Sequence, residues 1–261
     1  MYQGLAMLQE NQPKVAANLF KKALKSDPKN TTALYNYGLA LNQMRKYQDA
    51  ITSFDKVIEI NPKDAPSYNN RAIAMAELGD TDEALEWYDK AINADKKYAA
   101  AHYNKGVLLD KKLRPDEALK CLDDAITLDP KKDNPRFYKG IVLGKMKRHE
   151  EALNCFQNVY RNNRNHLDAY FQTGIQLAEL GRHEQAVKVF DNILKKYEKF
   201  RDNANVIYAK ARSKAALDET GEALELLRLA TKRSKEIKKW AVEEKAFDRL
   251  LGTPEFEDIV K

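Results

Sequence analysis

One spacing constrains this chain more than any other feature. Small residues stand at Gly4, Gly38, Ala72, Gly106, Gly140 and Gly174, each 34 residues after the last. The same period carries an alanine row (Ala16, Ala50, Ala84, Ala118, Ala152, Ala186) and a large-residue row (Phe20, Phe54, Tyr88, Leu122, Phe156, Phe190). A fourth row is a helix stop at Pro28, Pro62 and Pro130, with Lys96, Arg164 and Glu198 in the intervening slots. A period of this length belongs to repeat arrays, in which each unit buries its apolar face only by stacking on its neighbours.

Within a unit, Ala84, Tyr88 and Ala91 are spaced i, i+4, i+7, and Tyr68, Ala72 and Met75 do the same half a unit earlier. Each spacing marks one stripe of a helix, so a unit is two antiparallel helices. Small residues let the backbones approach, and the large residue fills the space left between them. All eight prolines sit where helices begin or end: Pro28, Pro62 and Pro130 follow a second helix, Pro13 and Pro115 lie in the turn between paired helices, and Pro66, Pro135 and Pro254 stand near helix starts. Gly79 and Gly181 mark that intra-pair turn, where a left-handed residue closes a helix. No alternating strand pattern occurs. The expected fold is all-α, a right-handed α-solenoid of stacked antiparallel helix pairs.

Residues 38–62 (GLALNQMRKYQDAITSFDKVIEINP) and 72–95 (AIAMAELGDTDEALEWYDKAINAD) resemble tetratricopeptide repeats, with that family's small, Ala, aromatic and Pro positions filled. The resemblance covers residues 1 to about 234. It implies units at 1–30, 31–64, 65–98, 99–132, 133–166, 167–200 and 204–236. The last needs three inserted residues around Arg201 to Asn203, which bring Ala211, Ala223, Leu227 and Ala230 into register. Residues 237–261 read as a capping segment, with Ile237, Trp240, Ala241, Phe247, Leu250 and Leu251 on one apolar face. Thr253-Pro254 then starts a last short helix carrying Phe256, Ile259 and Val260. Residue 1 falls at about the fifth position of a unit, which leaves the first helix short and uncapped. A fragment of a longer array and a bare natural terminus both fit that start.

Composition excludes several classes. No basic region followed by an apolar stretch marks a leader peptide, and no apolar run approaches the roughly 20 residues that span a bilayer. A cytoplasmic protein is expected. Charged residues make up 32% of the chain with a net charge of +6, too mixed to suggest disorder or, alone, nucleic acid. Cys121 and Cys155 occupy equivalent positions. Stacked helices lie about 8–10 Å apart, beyond the Cα separation of about 7 Å that a disulfide tolerates, so thiols are expected. His149 and His183 share a slot before a second helix, His102 fills an aromatic-preferring slot, and His166 lies in an inter-repeat turn. Structural roles account for all four. No phosphate loop, zinc-protease or nucleophile-elbow motif is present, and neither an enzyme activity nor a metal or cofactor is expected.

In the tetratricopeptide family the first helices line a concave groove that holds ligands. By position, the resemblance places Tyr35, Asn36, Asn70, Tyr103, Asn104, Phe137, Tyr138, Phe171, Gln172 and Tyr208 on that surface, with Asn69 beside them. Ile73, Val107, Ile141 and Ile175 come one turn later. Asn36, Asn70 and Asn104 would form a ladder able to pair with a peptide backbone, since an amide both donates and accepts. The same residues also serve helix packing. Carboxylate-clamp domains, which resemble this chain in fold, need Lys and Arg at groove slots that here hold Tyr, Asn, Phe and aliphatics. The expected function is a scaffold holding a partner protein or extended peptide. Self-association through the N-terminal helix and a regulatory segment of a larger protein are the alternatives. RNA binding would need a continuous basic groove, which these inner positions do not supply.

Charge is unevenly shared. Residues 65–98 are rich in acids (Glu77, Asp80, Asp82, Glu83, Glu86, Asp89, Asp95) and residues 133–166 in bases (Arg136, Lys139, Lys145, Lys147, Arg148, Arg161, Arg164). Such a gradient orients a charged partner or is scattered surface charge.

Overall fold

The computed structural model describes residues 2–261, with the backbone alone described for Tyr2. Met1, where the first repeat unit was expected to begin, lies outside the described residues. The chain forms two compact units, one ending at Pro135 and one running from Arg136 to Lys261. The described residues are helical throughout and contain no strand.

The first unit holds four helix pairs: α1 (Tyr2–Gln9) with α2 (Pro13–Ser26), α3 (Thr31–Gln43) with α4 (Tyr47–Ile60), α5 (Ala65–Leu78) with α6 (Thr81–Ala94), and α7 (Ala99–Lys111) with α8 (Pro115–Leu128). The boundary falls in the first turn of α9 (Asp133–Lys145). The second unit continues with α10 (His149–Asn162), α11 (Leu167–Glu179), α12 (His183–Lys196), α13 (Ala204–Ala216) and α14 (Thr220–Arg233). The three extra residues before α13 are absorbed by a 3-10 turn over Glu198–Phe200 and the bend after it.

The three periodic rows meet inside each pair. Phe20, Phe54, Phe156 and Phe190 are fully buried, as are the alanines four residues before them. Each ring lies over the small residue of the paired first helix. A Cβ at Gly38 would stand 2.6 Å from Phe54, and one at Gly174 would stand 2.5 Å from Phe190, inside any real contact distance. Where the large residue is Leu122, a Cβ at Gly106 would stand 3.0 Å away. Glycine at this slot is therefore the counterpart of phenylalanine, and burying each ring stabilises the stack by about 1.5–3 kcal/mol.

Every intra-pair turn has one geometry. Asn11, Arg45, Gly79, Leu113, Lys147, Gly181 and Asp218 all have positive φ, from 56° at Asn11 to 99° at Gly79. The next residue donates its N–H to a carbonyl five positions back, as in Lys46 to Leu41 (2.9 Å), Arg114 to Leu109 (2.9 Å) and Arg182 to Leu177 (2.8 Å). These are the outer bonds of Schellman caps. Glycine at Gly79 and Gly181 meets the requirement, and five non-glycine residues adopt the same conformation at a cost.

Helices α3, α5 and α13 begin on side-chain caps, whereas α7, which follows Tyr98, has none. Asn30 accepts from Ala33 N–H at 2.9 Å, Asp64 from Ser67 N–H at 3.0 Å and Asn203 from Val206 N–H at 3.1 Å.

The C-terminal segment departs from the single apolar face expected over residues 237–251. Helix α15 (Glu236–Glu243) stops at Glu244, whose extended backbone leads into a 3-10 turn over Lys245–Phe247. Ile237, Ala241, Phe247 and Leu250 are buried, whereas Trp240 and Leu251 remain exposed because the chain turns between them. In α16 (Pro254–Val260), Phe256 and Ile259 are buried. Thr253 holds the N-cap position, but its hydroxyl donates to the Leu250 carbonyl (2.7 Å) instead of accepting from the helix. No helix among the described residues is long and apolar enough to cross a membrane.

Candidate functional site

In the first unit the first helices α1, α3 and α5 line an open groove of about 540 Å³. Leu8, Leu39 and Ile73 supply its apolar surface. Between them stand the amides of Asn42, Gln43 and Asn70. Tyr47 and Glu77 close one side, the tyrosine hydroxyl donating to the carboxylate at 3.3 Å. Asn42 Nδ2 reaches the Asn70 carbonyl at 3.5 Å, while its Oδ1 is buried without a partner among the described residues. Apolar surface with interspersed amides suits an uncharged extended chain, whose side chains need area and whose backbone needs donors and acceptors.

The asparagines expected to form a ladder are engaged within the array. Asn36 is only 8% exposed, and its Nδ2 donates to the Thr32 carbonyl one turn back at 2.8 Å. Asn70 donates to the Pro66 carbonyl at 2.8 Å and to the Tyr35 hydroxyl at 3.0 Å, joining α5 to α3. Asn104 donates to Asn69 Oδ1 at 2.9 Å, joining α7 to α5. Of the three, Asn70 lines the groove.

The aromatic members also pack inward. Tyr35 lies against Phe54 with ring centres 5.9 Å apart, and burial raises its hydroxyl pKa, partly offset by the bond from Asn70. Phe137 sits edge-on to Phe156 at 5.5 Å and lies 4.7 Å from the ring of His166, and Phe171 lies 5.9 Å from Phe190. Tyr103 is half-buried beside a smaller cleft of about 250 Å³, whose walls include Ala99, Ala125 and Pro135. Tyr138 and Gln172 are half-buried. Tyr208 is buried by the segment after α14, its ring 6.0 Å from Trp240 and 6.1 Å from Phe247. That burial pushes its hydroxyl pKa up to about 12.

Position-by-position reading missed Leu8, Leu39, Asn42 and Gln43. The signal for Leu39 was present, because it stands 34 residues before Ile73 in the same row. Val107, Ile141 and Ile175 continue that row and are half-buried.

Three of the four histidines take part in local contacts. His149 Nδ1 lies 2.9 Å from Gln176 Oε1, His166 Nδ1 caps α11 by accepting from Ala169 N–H at 3.2 Å, and His102 Nδ1 lies 3.5 Å from the Asp124 carboxylate. Among the described residues, no group of three or more His, Cys, Asp or Glu side chains is arranged to hold a metal. Cys121 and Cys155 are half-buried thiols, and burial raises the pKa of Cys121.

Three tetratricopeptide-repeat profiles match the sequence, over residues 30–97, 99–132 and 139–204. No curated protein sequence matches the chain. Among solved structures, the chain is similar to YrrB, a tetratricopeptide-repeat protein with an unusual peptide-binding site. The identity is 28% and the TM-score 0.63, over 73% of this chain and 97% of YrrB. It is also similar to pilF of Pseudomonas aeruginosa, at 22% identity and TM-score 0.64 over 87% of this chain and 95% of that one. A tetratricopeptide-repeat protein of Parabacteroides merdae matches at 19% identity and TM-score 0.60, over 91% and 94% of the two chains. The last two likenesses concern the fold alone.

Proposed function

The chain belongs to the tetratricopeptide-repeat family, and on that premise we propose that it is a binding scaffold, without catalysis, that holds an extended peptide of a partner protein in the groove of α1, α3 and α5. The observation that carries this reading is the groove itself, about 540 Å³ of open space with Leu8, Leu39 and Ile73 as its apolar surface and the amides of Asn42, Gln43 and Asn70 between them. The family binds proteins or peptides in general, and the likeness to the peptide-binding protein YrrB supports a peptide as the ligand. Because Asn36 is buried and the amide donors of Asn70 are held internally, apolar contact along Leu39 and Ile73 supplies the affinity. The groove amides set the strand's orientation.

The test is selection of peptides from an unbiased synthetic array, followed by fluorescence anisotropy on the selected sequences. Ile73→Arg and Leu39→Arg, shown by circular dichroism to be folded, are each expected to weaken binding tenfold or more. Selected peptides that bind both variants as tightly as the parent would remove the groove from the account. An array that yields no peptide for the parent would remove the peptide reading altogether.

A further inference from the structure

A second cavity of about 540 Å³ lies in the second unit, between α10, α11 and α12. Its floor is Thr173, Leu177 and Val189, all buried. Four exposed cations stand around it: Arg161, Arg164, Lys188 and Lys196. No carboxylate is among its lining residues, and none of the four cations has an ion-pair partner among the described residues.

The repeat shows why this place differs. In three other units the matching position holds an ion pair between a first helix and the second helix before it. Arg71 bonds Asp55 at 2.6 Å, Lys105 bonds Asp89 at 2.5 Å, and Lys210 bonds Asp191 at 3.1 Å. Counting by the period, the residues in those two slots here are Thr173 and Gln157. The long cation that narrows the cavity elsewhere, to about 350 Å³ beside Lys105 and Asp89, is replaced by a short hydroxyl side chain, and the acid that would neutralise the walls is replaced by an amide. The result is a wider slot with an uncompensated positive rim.

One wall is rigid. Tyr160 and Tyr170 stack with ring centres 4.1 Å apart and planes 7° from parallel, and the Tyr160 and Tyr197 hydroxyls are hydrogen-bonded at 3.1 Å. Arg164 lies over the Tyr160 ring, 5.0 Å from its centre, a contact that favours one placement of its guanidinium before any ligand arrives. Preorganised cations beside a polar slot suit carboxylate side chains carried on a flexible chain.

We infer that this cavity is a second binding site, which takes an acidic peptide segment. The peptide's carboxylates meet Arg161, Arg164, Lys188 and Lys196, and one acidic side chain enters the slot beside Thr173 and Gln157. The site is separate from the groove of the first unit and does not depend on it.

The test uses the full chain and a fluorescein-labelled ten-residue peptide of alternating Glu and Gly, followed by anisotropy. A Gln-for-Glu peptide, a phosphoserine peptide and a single-stranded RNA of equal charge are titrated in parallel. The acidic peptide is expected to bind, with affinity falling as salt is added. Lys188→Glu/Lys196→Glu is expected to weaken it tenfold or more. The decisive variant is Gln157→Asp/Thr173→Lys, which restores the ion pair of the other repeats without changing net charge and is expected to abolish binding. Ile73→Arg, in the other unit, is expected to leave it unchanged. Circular dichroism checks both pocket variants, and the exposed Lys188/Lys196 pair keeps the test intact if the buried Thr173 change fails to fold. Equal binding to the parent and to a folded Gln157→Asp/Thr173→Lys chain would overturn the site in favour of diffuse charge attraction. Binding of the RNA but not the acidic peptide would overturn the assignment of ligand, and a phosphoserine peptide that bound while the Glu peptide did not would do the same for carboxylate recognition.

Discussion

Replacing Leu113 with glycine is expected to stabilise the protein, against the usual sense of a change that deletes a large apolar side chain. Leu113 is 88% exposed, so its removal gives up almost no buried surface. Its φ is +58°, in the left-handed region where the Cβ crowds the following carbonyl. That conformation costs a residue with a Cβ about 1–2 kcal/mol. Glycine avoids the clash but carries a larger conformational entropy in the unfolded chain, worth about 0.5–1 kcal/mol. The balance is a gain of about 0.5–1 kcal/mol. The closing bond from Arg114 N–H to the Leu109 carbonyl, 2.9 Å, involves no Leu113 side-chain atom and is retained.

The inverse change isolates the same term. Nothing lies within 4 Å of a Cβ built on Gly79, so a side chain there starts in open space and the cost of Gly79→Leu is chiefly conformational. It is expected to destabilise by an amount comparable to the Leu113→Gly gain. Arg45→Gly and Lys147→Gly follow Leu113, while Asn11→Gly gains less because asparagine tolerates positive φ. In a stack of repeats the effect is concentrated on the pair that carries the turn. The assay is therefore amide exchange in α7 and α8 by mass spectrometry, where the gain slows protected amides about two- to fivefold. Thermal unfolding gives a second reading, with a rise of about 1–4 °C. A Leu113→Gly chain that exchanges faster than the parent, or a Gly79→Leu chain that loses nothing, would refute the strain argument.

Gly174→Ala is expected to destabilise by about 1–3 kcal/mol in chemical unfolding, because the new methyl stands 2.5 Å from the buried Phe190 ring. Adding Phe190→Leu should recover part of that loss, because a leucine in the facing slot stands farther from a Cβ, 3.0 Å for Leu122 at Gly106, whereas Phe190→Leu alone should be destabilising. The Glu222 carboxylate accepts from Lys214 at 2.9 Å and from Lys210 at 3.0 Å, and these bonds hold its pKa below the ordinary value of 4.5. A depressed folded pKa contributes stability that is present above the unfolded value and lost as pH falls through the folded one. Glu222→Gln should therefore lower the free energy of urea unfolding at pH 7 by about 0.2–1 kcal/mol for so exposed a pair, and match the parent once the pH is well below 4.5. A difference that persisted undiminished in acid would show that the pair does not act through charge.

The rows that define the fold were legible because they are enforced by volume. Gly38 faces Phe54 and Gly106 faces Leu122, and a Cβ at Gly38 would stand inside the ring's contact distance. The turn geometry was legible only at Gly79 and Gly181. At Arg45, Leu113 and Lys147 the backbone bonds impose the conformation and the side chain carries no trace of it, while Asn11 and Asp218 belong to the types that tolerate it. The groove was legible to within one helical turn. Asn36 and Leu39 stand on adjacent turns of one helix, and the tilt of neighbouring pairs decides which of them faces the open space. Tyr208 shares its slot with Tyr35 but is covered by residues that belong to no repeat, which no count along the period reveals. Residues that obey a repeat are accounted for by stacking, and they say little about what a particular member binds. The informative positions are those where the pattern is broken at no gain to the stack. Gln157 and Thr173 are such positions: they forgo an ion pair that Arg71–Asp55, Lys105–Asp89 and Lys210–Asp191 all form, and the cavity beside them, about 540 Å³, is larger than the one of about 350 Å³ beside Lys105–Asp89.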